Sequence, residues 1–166
     1  MLFKTYQKLL GTSCLALYLV GCGGGESPVE MSANSKGEFQ ISSKADSVTI
    51  QGVKLNRGNC VVNFALTREQ QSNIVAQVLL QMPPPPITPI SMQDFKDMAS
   101  IYKTFDEKEM VANIENRISQ LEQKGVMMES QTLKFGESLK GTSQGCDIIE
   151  AEIQTDKGTW TFNFNR

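Results

Sequence analysis

The strongest constraint on the fold is an alternation of apolar and polar residues with a period of two. It runs through residues 47–64, 131–135 and 146–164. Successive side chains of a strand point to opposite faces, so this period predicts strands with one buried face and one solvated face. Strands of this kind usually pair in antiparallel fashion. The sequence therefore predicts a small antiparallel β-sandwich or half-open barrel of about five strands.

Two hairpins are predicted within these runs. In the first hairpin the apolar positions change parity at Gly52, which predicts a β-bulge there. The turn at 56–59 (Asn-Arg-Gly-Asn) leads into a second strand, 60–64, with Cys60 on its buried face. The second hairpin turns at 155–158, where a glycine again closes the turn.

Residues 67–130 have a different period and predict a helical insertion, which makes the fold class α+β. Capping-box patterns at 91–94 and 104–107 predict two helix starts, and Gly125 predicts a helix end. The second helix carries an apolar stripe at helical spacing. The members of this stripe are Met110, Ile114, Ile118 and Leu121. Together with Val126, Met127 and Met128, the stripe either packs on the sheet or docks a partner helix.

Four consecutive prolines interrupt the helical block, namely Pro83, Pro84, Pro85 and Pro86. Proline cannot continue a helix, so the run predicts an extended polyproline II segment. Two uses are open. The segment is either an exposed ligand for an aromatic groove on a partner protein or a rigid spacer between helices.

The N-terminus has the zones of a bacterial export signal. Lys4 and Lys8 precede an apolar run at 9–20, which is short for a membrane span. The run ends in Leu19, Val20, Gly21 and Cys22. These four residues resemble the lipobox of bacterial lipoproteins. The alternatives are an ordinary secretory signal with an incidental cysteine and an uncleaved anchor helix.

The lipobox resemblance implies an address for the protein. It implies removal of residues 1–21 and attachment of a lipid to Cys22, and two or three acyl chains give stable membrane anchoring. Gly23 follows the cysteine, where Asp would imply retention at the inner membrane, so the outer membrane is implied, with the domain in the periplasm. Residues 22–44, rich in Gly, Ser, Glu and Lys, predict a flexible tether to a single domain at 45–166.

Two cysteines remain once Cys14 is removed with the signal and Cys22 is lipidated. These are Cys60 and Cys146. In an oxidising envelope compartment such a pair usually forms a disulfide. Two free buried thiols are the alternative.

Composition argues against several function classes. The formal net charge is -2, from 16 Lys+Arg and 18 Asp+Glu, so no charged field predicts a nucleic-acid partner. Histidine is absent, which removes the most common general base and metal ligand. No cofactor-binding, metal-binding or nucleophile motif is present. We therefore predict that the protein binds no cofactor or metal and is not an enzyme.

A pair of carboxylates is the one feature that imitates a catalytic site. Ile149, Ala151 and Ile153 are predicted to face the core, so Glu150 and Glu152 share the opposite face. Strand geometry places them about 7 Å apart. A catalytic pair needs such a spacing within a cleft. A solvated outer strand face is the simpler interpretation, and we favour it.

An aromatic stripe, Trp160, Phe162 and Phe164, marks the last strand. It is either a binding platform or part of the core, and core is the usual fate of such large apolar side chains.

Two functions of different class follow from these patterns. The first is a non-catalytic binding or assembly component of the envelope, with an envelope protein as partner, as an accessory of secretion, conjugation or exclusion machinery. Its basis is the lipid on Cys22, because confinement to a membrane raises the effective concentration of a weak partner. The alternative is an envelope hydrolase that acts on cell-wall material or peptides through Glu150 or Glu152.

Overall fold

The computed structural model describes residues 25–64 and 88–164 of the chain. In these ranges seven strands form two antiparallel sheets, and two α-helices form a hairpin, so the predicted α+β class is confirmed. The elements are β1 (Val29–Ala33), β2 (Glu38–Ser43), β3 (Ser47–Leu55), α1 (Met92–Thr104), α2 (Lys108–Lys124), β4 (Gln131–Lys134), β5 (Ser138–Thr142), β6 (Glu150–Thr155) and β7 (Gly158–Asn163).

The two sheets face each other in a sandwich-like arrangement. The first has strand order β1-β2-β5 and the second β4-β3-β6-β7, and neither closes into a barrel. One apolar cluster takes side chains from both sheets. Its most deeply buried members are Val29, Ile41, Val48, Ile50, Leu55, Ile148, Ala151 and Ile153.

The change of parity in β3 is a β-bulge, as predicted. The register against β6 shifts between Ile50 and Gly52. The extra residue restores the core face, so Val53 and Leu55 are buried on the same side as Ile50. A Cβ at this position would lie 2.9 Å from the side-chain oxygen of Gln154, the movable end of an exposed side chain, so glycine is favourable here without being required.

The predicted tether at 22–44 is wrong from Val29 onward, because β1 and β2 lie there. The segment looks unstructured because it is polar on average. However, it needs only Val29, Phe39 and Ile41 to cover its share of the core. Polar residues fill the alternate positions.

An ion pair continues this order before β1. Lys44 donates a hydrogen bond to the carboxylate of Glu26, and this bond holds the pKa of Glu26 below its usual value. The Lys44 amide also donates to the carbonyl of Pro28 at 2.8 Å. The chain is thus held against the sheet from Glu26 onward.

The first predicted hairpin is wrong in its second strand. Residues 60–64 touch β3 at one isolated bridge, Leu55 with Cys60, and then reach β5 at a bridge between Asn63 and Thr142. They therefore cross from one sheet to the other instead of pairing along β3. We call residues 60–64 the crossing segment. With this strand lost and β1, β2 and β5 added, the described sheets contain seven strands and not five.

The helical hairpin begins and ends largely as its sequence predicts. Ser91 caps α1, since its Oγ accepts from the Asp94 amide at 3.1 Å, and Gly125 ends α2 at a φ of 66°. The second predicted capping box is wrong. Thr104 still belongs to α1, where its hydroxyl donates to a carbonyl one turn earlier, and α2 follows Glu107 without a side-chain cap.

The helices share an apolar cluster of their own, distinct from the sandwich core. Its buried members are Met92, Phe95, Met98, Ala99, Tyr102, Ile114 and Leu121. The predicted stripe of α2 thus packs on α1, while Met110 at its start stays exposed. Arg117 of α2 donates a hydrogen bond to the carboxylate of Glu129, which follows the helix. This hydrogen bond raises the pKa of Arg117.

Two predicted strand faces are confirmed in direction, since Ala151 and Ile153 are buried, but each differs in detail. Strand β6 starts only at Glu150, so Ile148 enters the core and Ile149, predicted to be buried, is exposed. The aromatic stripe of β7 is half-buried and not fully in the core; Phe162 borders the sandwich core, as does Phe164 just after the strand. The turn at 155–158 is confirmed.

Several predicted features lie outside the described residues. They are Cys22 with the lipobox, the four prolines 83–86, and the first part of the helical insertion. Neither helix within the described ranges is long and apolar enough to cross a bilayer.

Candidate functional site

A groove of about 450 Å³ opens between the end of β3, the crossing segment and the first turn of α1. Its walls are mostly apolar. Two of the apolar side chains are strongly exposed: Met127 is 63% accessible and Val61 is 51% accessible. Lys54, Arg57 and Lys96 add positive charge to the lining. The other lining residues are Val53, Gly58, Asn59, Cys60, Val62, Phe64, Ser91, Met92, Gln93 and Met128. Concave apolar surface with a few polar groups is the usual form of a binding site.

The predicted disulfide lies at one wall of this groove, which Cys60 lines. Cys60 and Cys146 are bonded, with their Cα atoms 5.9 Å apart and a sequence separation of 86. The bond ties the crossing segment to the chain that enters β6. The start of the groove wall is therefore fixed covalently.

The side chain of Asn56 secures the neighbouring turn. Its Nδ2 donates to the carbonyl of Asp147 at 2.8 Å, and its Oδ1 accepts from the amides of Ile149 and Glu150 at 2.9 and 3.1 Å. Asn56 has a φ of 48°, in the left-handed region that asparagine tolerates better than most residues. These bonds hold the turn at the groove rim against the entry to β6.

Asp94 holds the far end of the crossing segment. Its carboxylate is fully buried and accepts from the Phe64 amide at 3.0 Å. The same carboxylate accepts from the amides of Ile90 and Ser91 at 3.2 and 2.8 Å. A buried charge is tolerated only when such donors surround it. Asp94 thereby joins the crossing segment to the N-terminus of α1.

Asn63 adds two further attachments to the crossing segment. Its backbone exchanges hydrogen bonds with Thr142 of β5, at 3.0 and 2.7 Å. Its side chain donates to the Asp97 carboxylate of α1 at 2.8 Å. The segment is consequently fixed to both sheets and to a helix, and the groove is a preformed surface.

The cations of the groove differ in their partners. Lys54 pairs with Glu152 at 3.0 Å, and Arg57 pairs with Glu150 at 3.2 Å. Lys96 is exposed and has no ion-pair partner in the described part of the chain. Lys96 is therefore the cation best placed to meet an acidic ligand group.

The two glutamates of β6 are thus engaged as partners of surface cations. Their side chains are 25% and 38% accessible for Glu150 and Glu152, on the face that the sequence assigns to solvent. Each carboxylate neutralises a different cation. No group of three or more metal-binding side chains occurs among residues 25–64 and 88–164.

Comparison with protein-family models, with curated proteins and with solved structures gave no match. The interpretation of the groove therefore depends on its own chemistry.

The sequence pattern singles out three residues that line the groove, Cys60, Met127 and Met128, but not the groove itself. Cys60 and Cys146 were predicted to meet, and they do. Asp94 was recognised only as part of a capping box, because nothing in the local pattern shows that the Phe64 amide approaches it. Met127 was proposed for docking, and it does line the groove.

Proposed function

We propose that this protein is a lipid-anchored component of the bacterial envelope that binds a peptide segment of another envelope protein in the groove. In this proposal it has no catalytic role and serves as an assembly or accessory part of a secretion, conjugation or exclusion machinery. The observation that carries the proposal is the exposure of Met127 and Val61 beside Lys96 within a preformed groove.

The groove chemistry favours an extended peptide with apolar and acidic side chains. Burial of apolar surface contributes about 25 cal/mol per Å² removed from water, so Met127 and Val61 supply affinity. The charge on Lys96 supplies orientation and a faster encounter with an acidic group. Because the walls are fixed by the disulfide and by Asp94, little conformational freedom is lost on binding.

The alternative function, an envelope hydrolase, has weaker support. It requires a carboxylate freed for proton transfer in a cleft. Glu150 and Glu152 are instead paired with Arg57 and Lys54.

We expect Met127→Asp to reduce binding of the partner at least tenfold. The new carboxylate would lose the apolar contact and would repel the acidic side chains of the peptide that Lys96 attracts. The measurement is photocrosslinking in intact envelopes, with a photoreactive side chain placed at position 61 of the full-length chain. Met110→Asp is the matched control, since Met110 is also an exposed methionine but does not line the groove. Equal crosslinking by both variants would contradict the proposed binding surface.

We expect Cys22→Ser to move the full-length protein from the membrane fraction to the soluble envelope fraction, because the lipid attachment atom is lost. Cys14→Ser is the matched control and should leave the protein with the membranes. Sedimentation of the Cys22→Ser protein with membranes would disprove lipid anchoring without affecting the groove.

A further inference from the structure

Strand β7 is an edge strand that lacks the usual protection against pairing. It bonds to β6 on one side, and no strand lies on its other side in the part of the chain that the structure describes. Edge strands normally carry charge, proline or a covering segment. The other outer strands each contain a charged residue: Glu30 in β1, Lys134 in β4 and Lys140 in β5. Strand β7, with the sequence Gly-Thr-Trp-Thr-Phe-Asn, has none.

The backbone of β7 presents an ordered row of groups on its outer side. The Phe164 amide donates a hydrogen bond to the carbonyl of Ile149, just before β6, at 2.9 Å. The backbone groups of Phe164 therefore point toward β6. In an antiparallel strand each residue points its N–H and its C=O to the same side, and the next residue points both to the other side. It follows that Thr159, Thr161 and Asn163 direct their N–H and C=O groups away from β6. All three residues are exposed.

We infer that β7 pairs with β7 of a second copy of this chain, antiparallel, about a two-fold axis at Thr161. With Thr161 facing its own copy, Thr159 lies opposite Asn163, and these are the residues whose backbone groups point outward. The same register places Trp160 opposite Phe162. Polar residues thus meet polar residues and aromatic rings meet aromatic rings, which are favourable cross-strand pairs.

The neutrality of β7 favours a second copy as the occupant. A two-fold axis places the central residue of the strand opposite its own copy, so a charge at that position would meet a like charge. Strand β7 has no charge to repel, whereas a self-pair centred on β5 would place Lys140 opposite Lys140. Pairing would also cover the accessible part of Trp160, which is half-buried in the single chain.

A cysteine on the proposed axis tests this pairing directly. Thr161→Cys in the full-length chain should give a covalent dimer on non-reducing electrophoresis after mild oxidation, because Cα atoms of paired strands lie within disulfide range. Thr132→Cys is the matched control: it is an exposed threonine in β4, the opposite edge of the same sheet, and should stay monomeric. Equal crosslinking of both variants, or none with Thr161→Cys, would overturn the inference.

Sedimentation measurements on the uncrosslinked protein provide the second test. Thr161→Lys should weaken the dimer at least tenfold, because two ammonium groups would meet at the axis, while Thr161→Val should dimerise like the original chain. Circular dichroism confirms that both variants fold. Recovery of a covalent adduct with a different protein at position 161, with no self-adduct, would refute the second copy as the occupant.

Discussion

Replacing both Cys60 and Cys146 by serine is expected to lower the free energy of unfolding by about 4 kcal/mol. The bond closes a loop across 86 residues of sequence, which is about half of the 166-residue chain. A crosslink of this span restricts the unfolded chain strongly, and in the chain-entropy account its effect grows with the logarithm of the loop length. The loss should therefore appear even if the serine variant keeps the same folded structure.

Urea unfolding followed by circular dichroism measures this effect. The double serine variant should unfold at lower urea with a steeper dependence on denaturant, because an uncrosslinked unfolded chain exposes more surface. The original chain under strong reduction is the control and should match the variant. A loss below about 1 kcal/mol in both would mean that the bond constrains the unfolded chain little.

Asp94→Asn is expected to lower the free energy of unfolding by about 3 kcal/mol. The carboxylate accepts hydrogen bonds from three backbone amides, those of Phe64, Ile90 and Ser91, in a fully buried position. An amide side chain retains one acceptor and turns an NH₂ group toward donors. With its oxygen in the place of Oδ2 the amide can still accept from all three backbone amides, but its NH₂ group then faces the Phe64 N–H and the hydrogen bonds lose the carboxylate charge, which costs about 1–3 kcal/mol for each affected bond.

Asp97→Asn is the matched control for this change. Asp97 lies about one turn further along α1, is partly accessible, and bonds to side-chain amides of Asn63 and Gln93 that can rearrange. We expect a loss of about 1 kcal/mol or less for it. Hydrogen exchange should localise the Asp94→Asn effect to the amides of Phe64 and Ser91. Uniform exchange across the sheets with unchanged rates at these two amides would show that Asp94 does not hold the crossing segment.

Features that depend on a few neighbouring residues were predictable from the sequence. The bulge at Gly52 follows from a parity change within one strand, and the helix cap at Ser91 follows from four residues. The helix end at Gly125 needs only the left-handed backbone that glycine adopts readily. The class of the fold followed from the same local periods.

Features that depend on distant residues were not predictable in this way. Strands β1 and β2 have weak local patterns and are stabilised by pairing with each other and with β5, almost 100 residues later. The turn at Asn56 looks like a hairpin turn, yet its side chain bonds to residues 147–150 and the chain leaves for the other sheet. The groove joins three separate stretches of sequence, so no single stretch indicates it.

The early start of β1 determines how far the domain can stand from a bilayer. With lipid on Cys22, as proposed, 29 − 22 = 7 residues separate the acylated sulfur from Val29, a span of about 25 Å at full extension. The contact between Glu26 and Lys44 shortens the free length to 26 − 22 = 4 residues, or about 14 Å. The domain would then lie close to the lipid headgroups. Any protein that it binds would have to present its peptide within a short distance of the membrane surface.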